Sequence, residues 1–145
     1  MEYLVLNRQA AKRYSCKPQD KSSIMISIYS SDETPNKIAR ITENLIQAVL
    51  HICFDDVGRN EPCCMSAQDA ACIRVFLERH LASAERLIVH CDAGISRSAG
   101  VCAAIMKFYE GTDLPIFDCK QYRPNMHCYR VMLEELFENT QKEGI

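Results

Sequence analysis

The sequence predicts an α/β domain, a small and mostly parallel sheet of four to five strands flanked by helices. Two observations predict it. Short apolar runs rich in β-branched and aromatic residues recur along the chain, and stretches with helical apolar spacing lie between them. The runs are continuous rather than alternating, which suits strands covered on both faces.

Taken in order, residues 3–6 and 24–29 are the first two strand-like runs. Residues 48–54 (AVLHICF) and 86–90 (RLIVH) are the next two. Between the latter lies a predicted helix over 66–81. Ser66 and Asp69 form the S-x-x-D capping pattern at its start, and Ile73, Phe76, Leu77 and Leu81 recur at helical spacing. Residues 48–90 therefore read as a strand–helix–strand crossover. A buried helix of small and apolar residues follows over 98–109, ended by Gly111. The last helix, over 125–140, is amphipathic, with Met132, Leu133, Leu136 and Phe137 on one face. The loop 58–65 is the longest polar break after residue 40. No repeat or linker interrupts the chain, so residues 1–145 read as one domain.

Composition bounds the function. The 145 residues are 48% hydrophobic and 25% charged, an ordinary globular balance. Seventeen basic against nineteen acidic side chains leave a net charge of −2, with no surplus to draw nucleic acid or an anionic membrane. No apolar run approaches the ~18 residues that a membrane span needs. The opening MEYLVLNRQAAKRY is too short and too quickly charged for a secretory leader. Nine cysteines, an odd number, sit mostly in apolar stretches, as Cys72 and Cys102 do. This points to a reducing cytoplasm, with one or two cysteines available for chemistry. Cys63-Cys64 and Cys119 with His127-Cys128 lack the paired spacing of a zinc site. Cys53 and Cys102 are candidates to form a disulfide with a reactive Cys91.

One segment carries chemistry. His90-Cys91-Asp92-Ala93-Gly94-Ile95-Ser96-Arg97-Ser98 lies between a predicted strand and a predicted helix. A tight loop there aims successive backbone N–H groups and the positive end of a helix dipole into one concavity. Gly94 lets the backbone curl, and Arg97 offers a planar fork to two phosphate oxygens. Residues 92 to 97 would thus bind a tetrahedral anion above Cys91. A helix N-terminus and a nearby arginine favour a nucleophilic thiolate. Ser98 is placed to hydrogen-bond the sulfur when it leaves, and His90 to support the loop from below. Asp55 and Asp56 end the preceding apolar run, at the carboxyl end of a strand, where ligands collect in open parallel sheets. Side chains alternate there, so one of the pair faces the anion as a proton donor. Asn125 reads as a helix N-cap that also supports the loop.

HCDAGISRS resembles the phosphate-binding signature of the cysteine-dependent protein tyrosine phosphatases, dual-specificity-like branch, in its small bacterial-type form. ICFDD resembles that branch's strand ending in the general acid, and the alignment favours Asp56. YRPN at 122–125 resembles the branch's R-P-x-x-x-P-N region in compressed form, although Met126-His127-Cys128 replaces the usual Gly-Phe. The resemblance covers about residues 48–137. It implies the family's fold and two-step hydrolysis of a phosphorylated protein or small phosphomonoester by a monomer, without metal or cofactor. Asp92 sets an acid inside the loop. With Asp92 and Ile95 where phosphoinositide-specific members carry lysines, the resemblance argues against inositol lipids. The competing readings are a phosphate-binding module without turnover, and an arsenate reductase or sulfurtransferase built on a similar loop.

Overall fold

The computed structural model describes residues 1–33 and 46–140. Its sheet has four strands, β1 (Glu2–Leu6), β2 (Ser23–Tyr29), β3 (Ala48–Cys53) and β4 (Arg86–His90). They lie in the order β1-β4-β2-β3, and every pairing is parallel. The helices are α1 (Arg8–Ser15), α2 (Ala67–His80), α3 (Arg97–Glu110), the single turn α4 (Leu114–Phe117) and α5 (Met126–Glu135). A π-helical turn, Leu136–Thr140, continues α5.

Burial follows strand position. The central strands β2 and β4 are buried along their whole length, as their continuous apolar runs demand. The edge strands depart from the expectation of two covered faces. In β3, which ends the strand order among the described residues, His51 and Cys53 are exposed while Ile52, pointing to the other face, is buried. Alternation across β2 and β4 splits the core. Ile24, Ile26, Ile28, Leu87 and Val89 pack with α2, α3 and α5. Met25 and Ile88 pack with Ala11 of α1 on the opposite side. Each fully buried aliphatic side chain contributes about 1.5–3 kcal/mol.

The capping box expected at Ser66 is present, with Asp69 N–H donating to Ser66 Oγ at 3.0 Å and Ser66 N–H to Asp69 Oδ2 at 2.9 Å. Ile73, Phe76 and Leu77 are buried as their spacing predicts. Cys72 corrects the reading of it as a small core hydrophobe. It precedes Ile73 by one residue, a turn of about 100°, and is exposed. Cys91, Cys102 and Cys128 are buried. Gly111 ends α3 in the left-handed conformation at φ +82°. On the last helix the buried face is Cys128, Met132 and Leu136, at i, i+4 spacing. Phe137 lies off that face and meets the Phe108 ring edge-on, with centroids 5.0 Å apart.

Candidate active site

All four strands deliver their carboxyl ends to one place. Ser27 of β2 and Leu6 of β1 pair in register with His90, and Tyr29 pairs with Cys53. The chain leaving β4 at Cys91 therefore emerges beside the β1–α1 junction, Ser30 and the Asp55-Asp56 pair. His90 is fully buried beneath it. Its Nδ1 faces the Cys91 carbonyl at 3.4 Å, which can only accept, so Nδ1 carries the proton and Nε2 accepts from the Ser27 hydroxyl. Burial pushes its pKa down to about 4, keeping the ring neutral.

Residues 91–96 curl. Gly94 sits at φ +68°, and a Cβ there would lie 2.5 Å from Asn7 N and 2.6 Å from the Leu6 carbonyl carbon. Both the dihedral and the close passage of the β1–α1 junction exclude a side chain. Neighbouring segments pull the loop's carbonyls outward. Asp92 O accepts from Arg8 N–H at 3.2 Å, Ile95 O from Arg123 N–H at 3.0 Å, and Ser96 O from Asn125 N–H at 2.9 Å. Peptide planarity then turns the following N–H groups, of Ala93, Ser96 and Arg97, to the opposite, concave side. Gly94 N–H points to Cys91 Sγ at 3.3 Å, and Ser98 Oγ lies 3.1 Å from the same sulfur. Asp92 turns its side chain outward, 68% exposed, with Oδ1 3.6 Å from Arg8 Nη1. Ala93 and Ile95 are exposed on the rim.

Arg97 is 6% exposed, and its Nη1 donates to Phe54 O at 2.9 Å and Ser30 Oγ at 3.0 Å. The two aspartates part company. Asp55 accepts from Ser31 N–H at 2.7 Å and Ser31 Oγ at 2.8 Å, contacts that hold its carboxyl below the usual range. Asp56 reaches the loop instead, its Oδ1 accepting from Ser96 Oγ at 2.7 Å and Asn125 Nδ2 at 2.8 Å. Asn125 also caps α5, its Oδ1 accepting from Cys128 N–H at 3.0 Å. Gly100 makes that position reachable, since a Cβ on it would stand 2.5 Å from Asn125 O. Beside Asp56 a cleft of about 860 Å³ opens between the 57–61 loop and α5, lined by Arg59, Met126, His127 and Arg130.

All nine cysteines are free thiols, and among the described residues no group of three or more His, Cys, Asp or Glu is arranged for a metal ion. No helix among them is long and apolar enough to cross a membrane.

No family model matches the sequence, and no curated protein matches it. Solved structures do match. Human DUSP28 superposes with a TM-score of 0.60 at 15% identity, over 99% of this chain and 95% of that one. Tk-PTP in its active form gives 0.61 at 14% identity, over 91% and 90%. The fold is that of the dual-specificity-type protein tyrosine phosphatases. The human tyrosine phosphatase-like serine/threonine/tyrosine-interacting protein shares this phosphatase fold, with a TM-score of 0.55 at 21% identity over 86% and 80%. The phosphatase fold thus brings Cys91, Asp56, Ser96, Arg97, Ser98 and Asn125 of this chain into one cluster, and leaves Asp55 on the Ser31 side of it.

The sequence reading missed Ser30, which touches Arg97, and the residues around it, Ser31 on Asp55, Glu33 on Ser30, and Arg8 on Glu33 and Asp92. A signal existed for the serines. They directly follow the apolar run of β2, at the strand end where the same rule had placed Asp55 and Asp56.

Proposed function

We propose that the protein is a phosphomonoester hydrolase acting on phosphorylated proteins or small phosphomonoesters through Cys91. The loop amides and the Arg97 guanidinium hold the phosphate, with charge building on its equatorial oxygens during transfer. Cys91 Sγ attacks phosphorus as the P–O ester bond breaks, and Asp56 gives its proton to the leaving oxygen. In the second step Asp56 takes a proton from water, the water oxygen attacks phosphorus and the S–P bond breaks. The Ser98 hydroxyl donates to the departing thiolate. No metal takes part in either step. The cleft beside Asp56 gives room for the part of a substrate that flanks its phosphate.

The observation that carries this reading is the Ser96–Asp56 hydrogen bond, because it brings a carboxyl group to the mouth of the cysteine loop. A module that only bound phosphate would have no use for one there. Asp55 is turned to Ser31 instead, accepting from its N–H and its hydroxyl.

The test is metal-free hydrolysis of p-nitrophenyl phosphate and of a phosphotyrosine peptide. Cys91→Ser should abolish turnover and retain phosphate affinity. Asp56→Ala should lower kcat on the peptide by roughly 10²–10⁴, with Asp55→Ala far milder. Phosphate binding without turnover in the unaltered protein would favour the binding module, and a larger loss at Asp55 would reverse the assignment within the pair.

A further inference from the structure

The contacts that hold Arg97 lead out of the loop and return to it. Nη1 of a guanidinium carries two hydrogens, and here both are taken, one by Phe54 O and one by Ser30 Oγ. The donors that remain, on Nε and Nη2, share one edge and match two oxygens of a tetrahedral anion. Phe54 contributes a main-chain carbonyl, so the Ser30 hydroxyl is the half of this anchor that a side chain provides. We propose that Ser30, locked in place by Glu33 and Arg8, is a positioning residue that sets which edge of the Arg97 guanidinium meets the phosphate. The proposal rests on the phosphate-binding reading of the loop.

Ser30 is itself fixed on both sides. Its N–H donates to Glu33 Oε1 at 3.1 Å, and Glu33 N–H donates back to Ser30 O at 3.0 Å. Glu33 is gripped by Arg8, with Nη1 2.6 Å from Oε2 and Nη2 2.9 Å from Oε1. Arg8 lies over the Tyr29 ring at 5.7 Å and joins the loop through its N–H to Asp92 O. The circuit thus leaves the loop at Asp92, passes Arg8, Glu33 and Ser30, and re-enters at Arg97. Its chemistry is divided usefully. Glu33 spends its charge on Arg8, while the group touching Arg97 is a neutral hydroxyl that orients the guanidinium without competing for it.

The experiment compares Ser30→Ala with Ser30→Thr, which keeps a hydroxyl, each also in an Arg97→Lys background. Phosphate affinity is read by calorimetry, kcat and KM on p-nitrophenyl phosphate, and folding by Tm. Ser30→Ala should weaken phosphate binding and lower kcat/KM by about tenfold each, the scale of one hydrogen bond to a charged group. Ser30→Thr should recover most of both. In the Arg97→Lys background Ser30→Ala should change phosphate affinity less than about twofold, since no Nη1 remains to be held. Glu33→Gln, one step further out, should cost about threefold and gives a second reading should Ser30→Ala fold poorly. Unchanged values in Ser30→Ala, no recovery with threonine at unaltered Tm, or a full loss persisting in Arg97→Lys would each overturn the proposal. A wild type that binds phosphate without turnover defeats the hydrolase reading alone, and the affinities still decide Ser30. A wild type that does not bind phosphate defeats both.

Discussion

Two buried arginines stand at opposite ends of β4, and they are held in opposite ways. Arg86 opens the strand, 5% exposed, with Nη1 3.0 Å from Asp20 Oδ1 and Nη2 3.1 Å from Glu2 Oε2. Its guanidinium also lies 5.4 Å from the Tyr14 ring centre. Arg97 follows the strand's other end, 6% exposed, and its side chain is held by a hydroxyl and a carbonyl oxygen, with no carboxylate partner among the described residues. Taking a cation out of water costs several kcal/mol, which a paired carboxylate offsets. At Arg86 the charge is spent inside the protein. At Arg97 it is oriented but not neutralised, and that is the condition for meeting an anion from solution.

The largest effect should follow from Arg97→Lys. An ammonium on a flexible stem cannot both hold the Ser30–Phe54 corner and present a two-pronged edge. We expect kcat/KM on p-nitrophenyl phosphate to fall roughly 10²–10³-fold, the scale of one lost anion-stabilising donor, with phosphate affinity weakened as well. Near-normal values for both would mean that the uncompensated charge has no ligand, and the contrast with Arg86 would lose its functional content.

At the same end a second buried group, unlike Arg97, is kept uncharged in the folded protein. His90 has a folded pKa of about 4, below the ordinary value of 6.5, because burial disfavours the imidazolium. The unfolded chain therefore binds a proton first as pH falls. Stability contributed by the neutral ring is full above about 6.5, declines between 6.5 and 4, and levels off below. The span corresponds to at most about 3 kcal/mol. Urea midpoints at successive pH values should record this decline, and His90→Asn should remove that share of it. Identical slopes for the two proteins would show that the buried ring is not a source of acid sensitivity.

The two ends also differ in how much of each could be read from the sequence. The four strands were legible to within about a residue, because β2 and β4 are continuous apolar runs and the edges share their composition. The loop was legible because Cys91, Gly94 and Arg97 lie within one short segment whose geometry is local. Helix α1 was not. RQAAKRYS carries no apolar stripe and buries only Ala11 and Ser15, so its main signal is the Asn7 cap, which accepts from Ala10 N–H at 2.7 Å. The supports of Arg97 were equally hidden, since Ser30 lies 67 residues from it and Glu33 25 residues from Arg8. Only the strand order β1-β4-β2-β3 makes them neighbours. The Asp56–Asn125 contact spans 69 residues and needs the close approach at Gly100. Motif reading found each member without finding that they touch.

The smallest effect should come from Arg86, and its size tests the comparison from the other side. Arg86→Met keeps much of the buried stem while deleting the charge. Glu2 and Asp20 would not be stranded in the interior, since their side chains are 35% and 77% exposed, and Glu2 keeps Lys21 at 2.9 Å. The usual penalty for breaking a buried ion pair, about 3–5 kcal/mol, presupposes a partner left dry. Here rehydrated carboxylates place the cost nearer the surface-pair scale, about 1 kcal/mol or less. We expect a small fall in Tm with kcat/KM and phosphate affinity unchanged. A tenfold loss of either would mean that β4 transmits strain from its first residue to Cys91, so that one end could not be altered without the other.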